Sequence, residues 1–154
     1  MPFIYDIPER KKPATQELES GEEWVLEVGF WFVRPCGEKI YVPPSGPGTL
    51  AQMLVSPVWT TDYGSIPRLF QNIFSPTKYG GAYLLHDWLY ACEKFPRNQC
   101  DWILLEALQA ESANWLTRNT IYSAVRAGGW AVWSKHDPNA VAALRAYETA
   151  QINA

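Results

Sequence analysis

Four side chains that can carry out acid–base chemistry lie within a short stretch of this sequence: His86, Asp87, Tyr90 and Asp101. His86 and Tyr90 are four positions apart and share one face of a predicted helix, whereas Asp87 points about a quarter-turn away. Asp101 falls in the first turn of the next predicted helix. A short loop lets that helix fold back antiparallel, which brings the carboxylate of Asp101 towards the histidine.

An imidazole next to a buried carboxylate can act as a general base that activates water, because the carboxylate fixes the tautomer of the ring and stabilises the imidazolium. The hydroxyl of Tyr90 can hold that carboxylate in place. We therefore predict a catalytic site made of His86, Asp101 and Tyr90. The alternative is that the same His–Asp pair is sealed between helices and only stabilises the fold.

A second polar cluster runs from Thr60 to Arg68. Within it, Asp62 precedes a Ser-Ile-Pro turn and can accept hydrogen bonds from nearby backbone amides in an Asx-turn. Alternatively, the chain brings Asp62 beside the His86 helix, where Asp62 and Asp87 form an oxygen-rich site suited to Ca²⁺ or Mg²⁺. This second interpretation predicts one divalent cation held by Asp62 and Asp87.

The composition limits the class of protein. The chain has 154 residues, 47% of them hydrophobic and 19% charged, which is enough for one domain with its own core. A net charge of −3 without a basic block argues against a nucleic-acid binder. No apolar stretch approaches the ~18–20 residues of a transmembrane helix. The N-terminus lacks a signal-peptide pattern, so we expect synthesis in the cytoplasm without export by the standard route.

Aromatic residues and cysteines add two further expectations. Eight tryptophans either form an aromatic core or, in the loop-rich half, include rings such as Trp24, Trp31 and Trp59 that face a partner. Three cysteines are an odd number in an unexported chain, which predicts free and mostly buried thiols.

The distribution of helix breakers predicts the architecture. Eleven of the twelve prolines and eight of the ten glycines lie at or before position 96, so strands and loops should precede helices. We predict an extended arm over residues 1–21 and a single α+β domain over 22–154, in which a small antiparallel hairpin or three-stranded sheet packs on about four helices. Predicted strands are 24–33, 38–42 and 54–60, and predicted helices are 65–74, 80–94, 97–112, 117–133 and one starting at Asp137-Pro138. Ala124 and Gly128, four apart, predict a close approach by a neighbouring helix.

Five blocks follow one another along the chain: Ile40–Pro43, Thr61–Arg68, Leu84–Tyr90, Arg97 with Asp101, and Tyr122–Trp130. In this order they resemble a domain-of-unknown-function family common in tailed bacteriophages and prophages. The resemblance spans roughly residues 38–133, and this sequence differs by an insertion at 44–56. It implies a small phage-encoded protein. We expect this protein to be made in the host cytoplasm and incorporated in the virion.

A more local stretch is similar to secreted phospholipases A2, through His86-Asp87-x-x-Tyr90 and the later Cys100-Asp101. This resemblance implies that His86 is the water-activating base, that Asp87 is a calcium ligand, and that Asp101 and Tyr90 orient the histidine. The glycine-rich calcium loop and the disulfides of that family are missing from this sequence.

Together these features predict a virion component of the tail or baseplate that carries a hydrolase-like His/Asp site acting on lipid or peptidoglycan of the host envelope. Its expected partners are other phage structural proteins. One alternative is a non-catalytic structural or assembly protein of the phage tail, whose Trp-rich loops bind its neighbours. A second alternative is a free, lysis-associated hydrolase.

Overall fold

The computed structural model describes residues 2–5, 13–18, 23–61 and 78–154. Within these ranges, short strands occupy the N-terminal half and helices the C-terminal half, which confirms the predicted α+β class. The predicted helix at 65–74 and the predicted metal ligand Asp62 lie outside the described residues.

The strands of the described residues form two small antiparallel sheets. They are β1 (Phe3–Ile4), β2 (Thr15–Glu17), β3 (Trp24–Leu26), β4 (Phe30–Val33) and β5 (Lys39–Val42). β4 lies between β1 and β5, and Phe32 pairs with Phe3 on one side and Ile40 on the other. Phe30 and Phe32 point into the core while their strand neighbours are partly exposed, because side chains alternate along a strand.

The predicted strand at 38–42 is confirmed as β5, whereas three other predictions for this half of the chain differ from the structure. The segment predicted as an arm contributes β1 and β2, which pair with β4 and β3. The single strand predicted at 24–33 is divided by bends at residues 27–28. The predicted strand at 54–60 is wrong, because helix α1 (Leu50–Val55) takes its start. Thr49 and Gln52 form a capping box that begins this helix, a local signal that the sequence prediction missed.

Four longer helices follow, in the order predicted. They are α2 (Gly80–Ala91), α3 (Arg97–Ala110), α4 (Trp115–Trp133) and α5 (Pro138–Ile152). α2 is buried along nearly its whole length and lies at the centre of the core. α5 begins as predicted, since the side chain of Asp137 accepts a hydrogen bond from the backbone N–H of Asn139 and proline fills the first position. None of the helices within the described ranges is long and apolar enough to cross a bilayer.

One cluster of buried side chains joins the strands to α2, α3 and α4. Trp59, which was a candidate to face a partner, is buried instead and packs against Trp88 of α2 with ring centroids 5.1 Å apart. The strongly exposed tryptophans of the described residues lie on helices, at positions 102, 115 and 130.

The cysteines are free, as predicted. Cys36 is exposed in a turn, whereas Cys92 and Cys100 are completely buried. Burial raises the pKa of both buried thiols to about 12, so they stay protonated at neutral pH.

Candidate functional site

Asp101, in the first turn of α3, is the centre of the candidate site. Its side chain has 0% exposure to solvent. Its Oδ1 accepts a hydrogen bond from the hydroxyl of Tyr90 at 2.6 Å and lies 2.8 Å from Nε2 of His86. The structure therefore brings together the three residues that the sequence predicts to be catalytic.

The other oxygen of Asp101 contacts two arginines. Nη1 of Arg126, from α4, donates to Oδ2 at 2.7 Å, and Nη1 of Arg97, one turn before Asp101 on α3, does so at 3.4 Å. With His86 and Tyr90, these arginines present four donors, which matches the roughly four lone-pair sites of a carboxylate. Asp101 thereby connects α2, α3 and α4.

The tight connection between α2 and α3 fixes the distance between His86 and Asp101. Glu93 turns the chain there in the left-handed region, with φ 46°. Arg145 of α5 holds this turn, because its guanidinium donates to the backbone carbonyl of Cys92 at 2.8 Å and to that of Glu93 at 2.6 Å. Residues far along the chain therefore support the geometry of the His–Asp pair.

α4 crosses the site at Gly129. A Cβ at this position would collide with the hydroxyl of Tyr90 and lie 3.1 Å from Nη1 of Arg97, so only glycine lets the helix backbone come this close. One turn later, Trp133 meets the ring of Tyr90 edge-on, with centroids 5.1 Å apart. The close approach predicted for Gly128 is wrong by one position, since a Cβ at Gly128 would meet nothing within 4 Å.

Asp101 is the anion of this site. Burial by itself would raise the pKa of its carboxyl, but hydrogen bonds from His86, Tyr90 and Arg126 outweigh burial and hold the pKa below its ordinary value. Burial, followed by the hydrogen bond to Asp101, raises the pKa of Tyr90, so its hydroxyl stays protonated and donates. The carboxylate is therefore ionised at neutral pH and can only accept hydrogen bonds.

This charge state determines the tautomer of His86. Because ionised Asp101 only accepts, Nε2 of the imidazole must carry the proton that joins them. Nδ1 of a neutral ring then keeps its lone pair, and it makes no hydrogen bond within the described part of the chain. An imidazole held through one nitrogen by a buried anion, with its other nitrogen not hydrogen-bonded by the described residues, has the arrangement of a general base. His86 itself is buried, with 5% of its surface exposed to solvent.

Asp87 lies in different surroundings from its neighbour His86. Its Oδ2 accepts a hydrogen bond from the hydroxyl of Thr61, and the backbone of Thr61 pairs with Trp24. Among the described residues, no three His, Cys, Asp or Glu side chains are grouped so that they could hold a metal ion. Because Asp62 lies outside those residues, a Ca²⁺ or Mg²⁺ site at Asp62 and Asp87 stays a prediction.

Reasoning from the sequence did not identify Arg97, Arg126 and Gly129 as parts of the site. All three belong to the blocks that resemble the phage-associated family, and Arg97 stands four residues before Asp101. A buried carboxylate needs several donors. The cationic side chains within those blocks were therefore the sequence signal that could have identified the two arginines.

Comparison with known proteins assigns the chain to a family. Residues 45–125 match the model of the family described as protein of unknown function DUF1353. The match covers more than half of the chain, which therefore belongs to this family, as its resemblance to a domain-of-unknown-function family predicted. No curated protein and no solved structure is significantly similar to the chain. His86 and Asp101 lie inside the matched region.

Proposed function

We propose that this member of the DUF1353 family is a phage-encoded virion component whose His86–Asp101 pair activates water to hydrolyse a component of the host envelope. One observation carries the catalytic part of the proposal. His86 is held through Nε2 by a fully buried carboxylate, while its Nδ1 makes no hydrogen bond within the described residues.

The proposed step uses both nitrogens of His86. Nδ1 takes a proton from a water molecule while the water oxygen forms a bond to the carbonyl carbon of an ester or amide. Asp101 stabilises the imidazolium that results, and Tyr90 and the arginines keep the carboxylate in place. The imidazolium then gives its proton to the leaving oxygen or nitrogen as the C–O or C–N bond breaks.

The virion part of the proposal is supported by the ordered blocks that resemble a family of tailed phages. Exposed tryptophans on α3 and α4 also support it, because tryptophan is enriched where proteins bind one another. The proteins that bind these tryptophans would be other phage structural proteins.

A second candidate function, a non-catalytic structural protein of the tail, is favoured by another observation. Asp101 binds side chains from α2, α3 and α4 at once, so the same cluster can serve only to hold these helices together. Removing one partner from such a cluster leaves a buried polar group unpaired.

Two substitutions of one residue separate the candidates. In His86→Gln, the side-chain amide can still donate to Asp101 but no base is present, whereas His86→Ala removes both. We expect His86→Gln to melt close to wild type and to lose at least about 100-fold of the hydrolysis rate, the usual contribution of a general base. His86→Ala should in addition lose roughly 1–3 kcal/mol of stability.

The assay measures product release from phospholipid vesicles and from purified peptidoglycan by wild type and both variants. Hydrolysis of neither substrate by the wild type, or equal rates in His86→Gln, refutes the catalytic proposal, and a destabilised His86→Ala then leaves the structural candidate. Quantitative mass spectrometry of purified particles tests the location. Absence of the chain from particles, combined with activity, would identify a free lysis-associated hydrolase instead.

A further inference from the structure

The charges around Asp101 do not balance. Two guanidinium groups, those of Arg97 and Arg126, meet a single carboxylate, which leaves one excess positive charge among these three side chains. Neither arginine forms an ion pair with another acidic side chain within the described residues. Asp101 itself has no remaining acceptor capacity, since its lone pairs already face four donors. Counted over the described residues, these three side chains carry one positive charge, which favours an anion over a cation beside Oδ2 of Asp101.

The two arginines differ in how many donors they keep. Arg97 is the more buried, with 18% side-chain exposure, and it also donates to the backbone carbonyls of Val125 and Arg126. Its donors connect the start of α3 to α4. Arg126 makes one short bond, at 2.7 Å to Asp101, and its side chain is 35% exposed. A guanidinium has five N–H donors, so four of those on Arg126 are unused within the described residues.

The position of Arg126 relates these donors to the proposed chemistry. Arg126 and His86 bind the two oxygens of one carboxylate, so only that carboxylate and two hydrogen bonds separate them. The bond to Asp101 holds the guanidinium in a fixed orientation, and a planar fork of this kind binds two oxygens of a phosphate or carboxylate in parallel.

We propose that Arg126 binds an oxyanion of the substrate, a phosphate or a carboxylate group, on the Oδ2 side of Asp101, across this carboxylate from His86. This inference rests on the proposed hydrolytic function and adds the charge of the substrate to it. The substrate then carries its anionic group apart from the scissile ester or amide, separated from it by the Asp101 carboxylate and the imidazole ring, and Arg126 orients that group by charge-assisted hydrogen bonds.

The test measures binding separately from hydrolysis, in the His86→Gln background, where the general base is removed. Inorganic phosphate and acetate are titrated separately by calorimetry at constant ionic strength, because salt screens exposed charges. We expect saturable binding of at least one of these anions, and the stronger of the two indicates whether the oxyanion is phosphate or carboxylate. Adding Arg126→Gln should weaken that binding by about tenfold or more.

Arg118→Gln is the matched control, because Arg118 lies on the same helix but donates to the backbone carbonyl of Ala113 and not to Asp101. It should leave binding unchanged. Arg126→Lys should restore part of the affinity, since lysine keeps the charge but not the planar fork. Absence of saturable binding of both anions, or equal affinity in Arg126→Gln and Arg118→Gln, overturns the inference.

The outcomes also separate this inference from the proposed function. Hydrolysis that needs His86 but proceeds without anion binding at Arg126 overturns the oxyanion site alone. Anion binding that depends on Arg126, in a protein that hydrolyses neither lipid nor peptidoglycan, overturns the proposed function and leaves an anion-binding site.

Discussion

Replacing Asp101 by asparagine tests whether this carboxylate is the buried anion that organises the site. The amide keeps the shape of the side chain and can still accept hydrogen bonds from His86 and Tyr90 on one side. On the other side, its NH₂ group faces the Arg126 guanidinium where Oδ2 accepted a bond at 2.7 Å. The substitution therefore leaves two arginines without their counter-ion, in surroundings where Asp101 has 0% exposure.

Breaking a buried ion pair by removing one partner costs about 3–5 kcal/mol. For a chain of 154 residues, that corresponds to a fall in melting temperature of roughly 6–20 °C, at about 2–4 °C per kcal/mol. Glu38→Gln is the matched control, since Glu38 also pairs with an arginine, Arg34 at 2.8 Å, but is 46% exposed. That exposed pair should contribute at most about 1 kcal/mol.

The difference in stability between wild type and Asp101→Asn should also depend on pH. The folded state lowers the pKa of Asp101, so the unfolded chain binds the proton more tightly and the carboxylate stabilises the fold only while it is ionised. The difference should therefore be complete above the ordinary Asp pKa of about 3.9 and shrink as pH falls through the lowered value. Thermal melts of the three proteins at several pH values measure it. A loss at neutral pH no larger than that of Glu38→Gln, or one that grows on acidification, would refute this account of Asp101.

Three further predictions concern two glycines of α4, the cysteines and the start of α2. Gly129→Ala should destabilise the protein, because the new methyl group would collide with the Tyr90 hydroxyl. Gly128→Ala should stabilise the protein by about 0.5–1 kcal/mol, because alanine has the higher helix propensity and its methyl group meets nothing within 4 Å. Equal melting temperatures of the two variants would contradict both expectations. A colourimetric thiol reagent should label Cys36 rapidly in the native protein and the two buried cysteines only after denaturation, so rapid labelling of three thiols in the native protein would show that the core is open. Glu111→Gln should lower the free energy of unfolding by roughly 0.5–2 kcal/mol, because the Glu111 carboxylate accepts a 2.6 Å hydrogen bond from the backbone N–H of Ala82 in the first turn of α2. Urea titrations measure this loss. An unchanged midpoint of unfolding would show that this end of the helix needs no anionic cap.

The helical half of the fold could be predicted because its signals are local. Asp137-Pro138 marks the start of α5 by capping and proline geometry alone, and the periodic spacing of His86 and Tyr90 places them on one face of α2. The wrong strand at 54–60 has in part a local cause, since the capping box at Thr49 and Gln52 begins a helix that includes Leu54 and Val55. The pairing of β1 with β4 joins residues far apart in the chain, and no local signal specifies such a partner.

The sequence by itself determined which residues could form the His–Asp–Tyr cluster, because His86, Tyr90 and Asp101 lie on two successive helices joined by a short turn. Only the tertiary structure decided what surrounds that cluster. Arg126 and Gly129 come from α4. This helix reaches Asp101 because Gly129 has no side chain, so that the helix backbone can lie against Tyr90. The charge next to His86 is therefore set by the contact of α4 with α2 and α3. Such a contact depends on how whole helix surfaces pack and not on spacing along the chain.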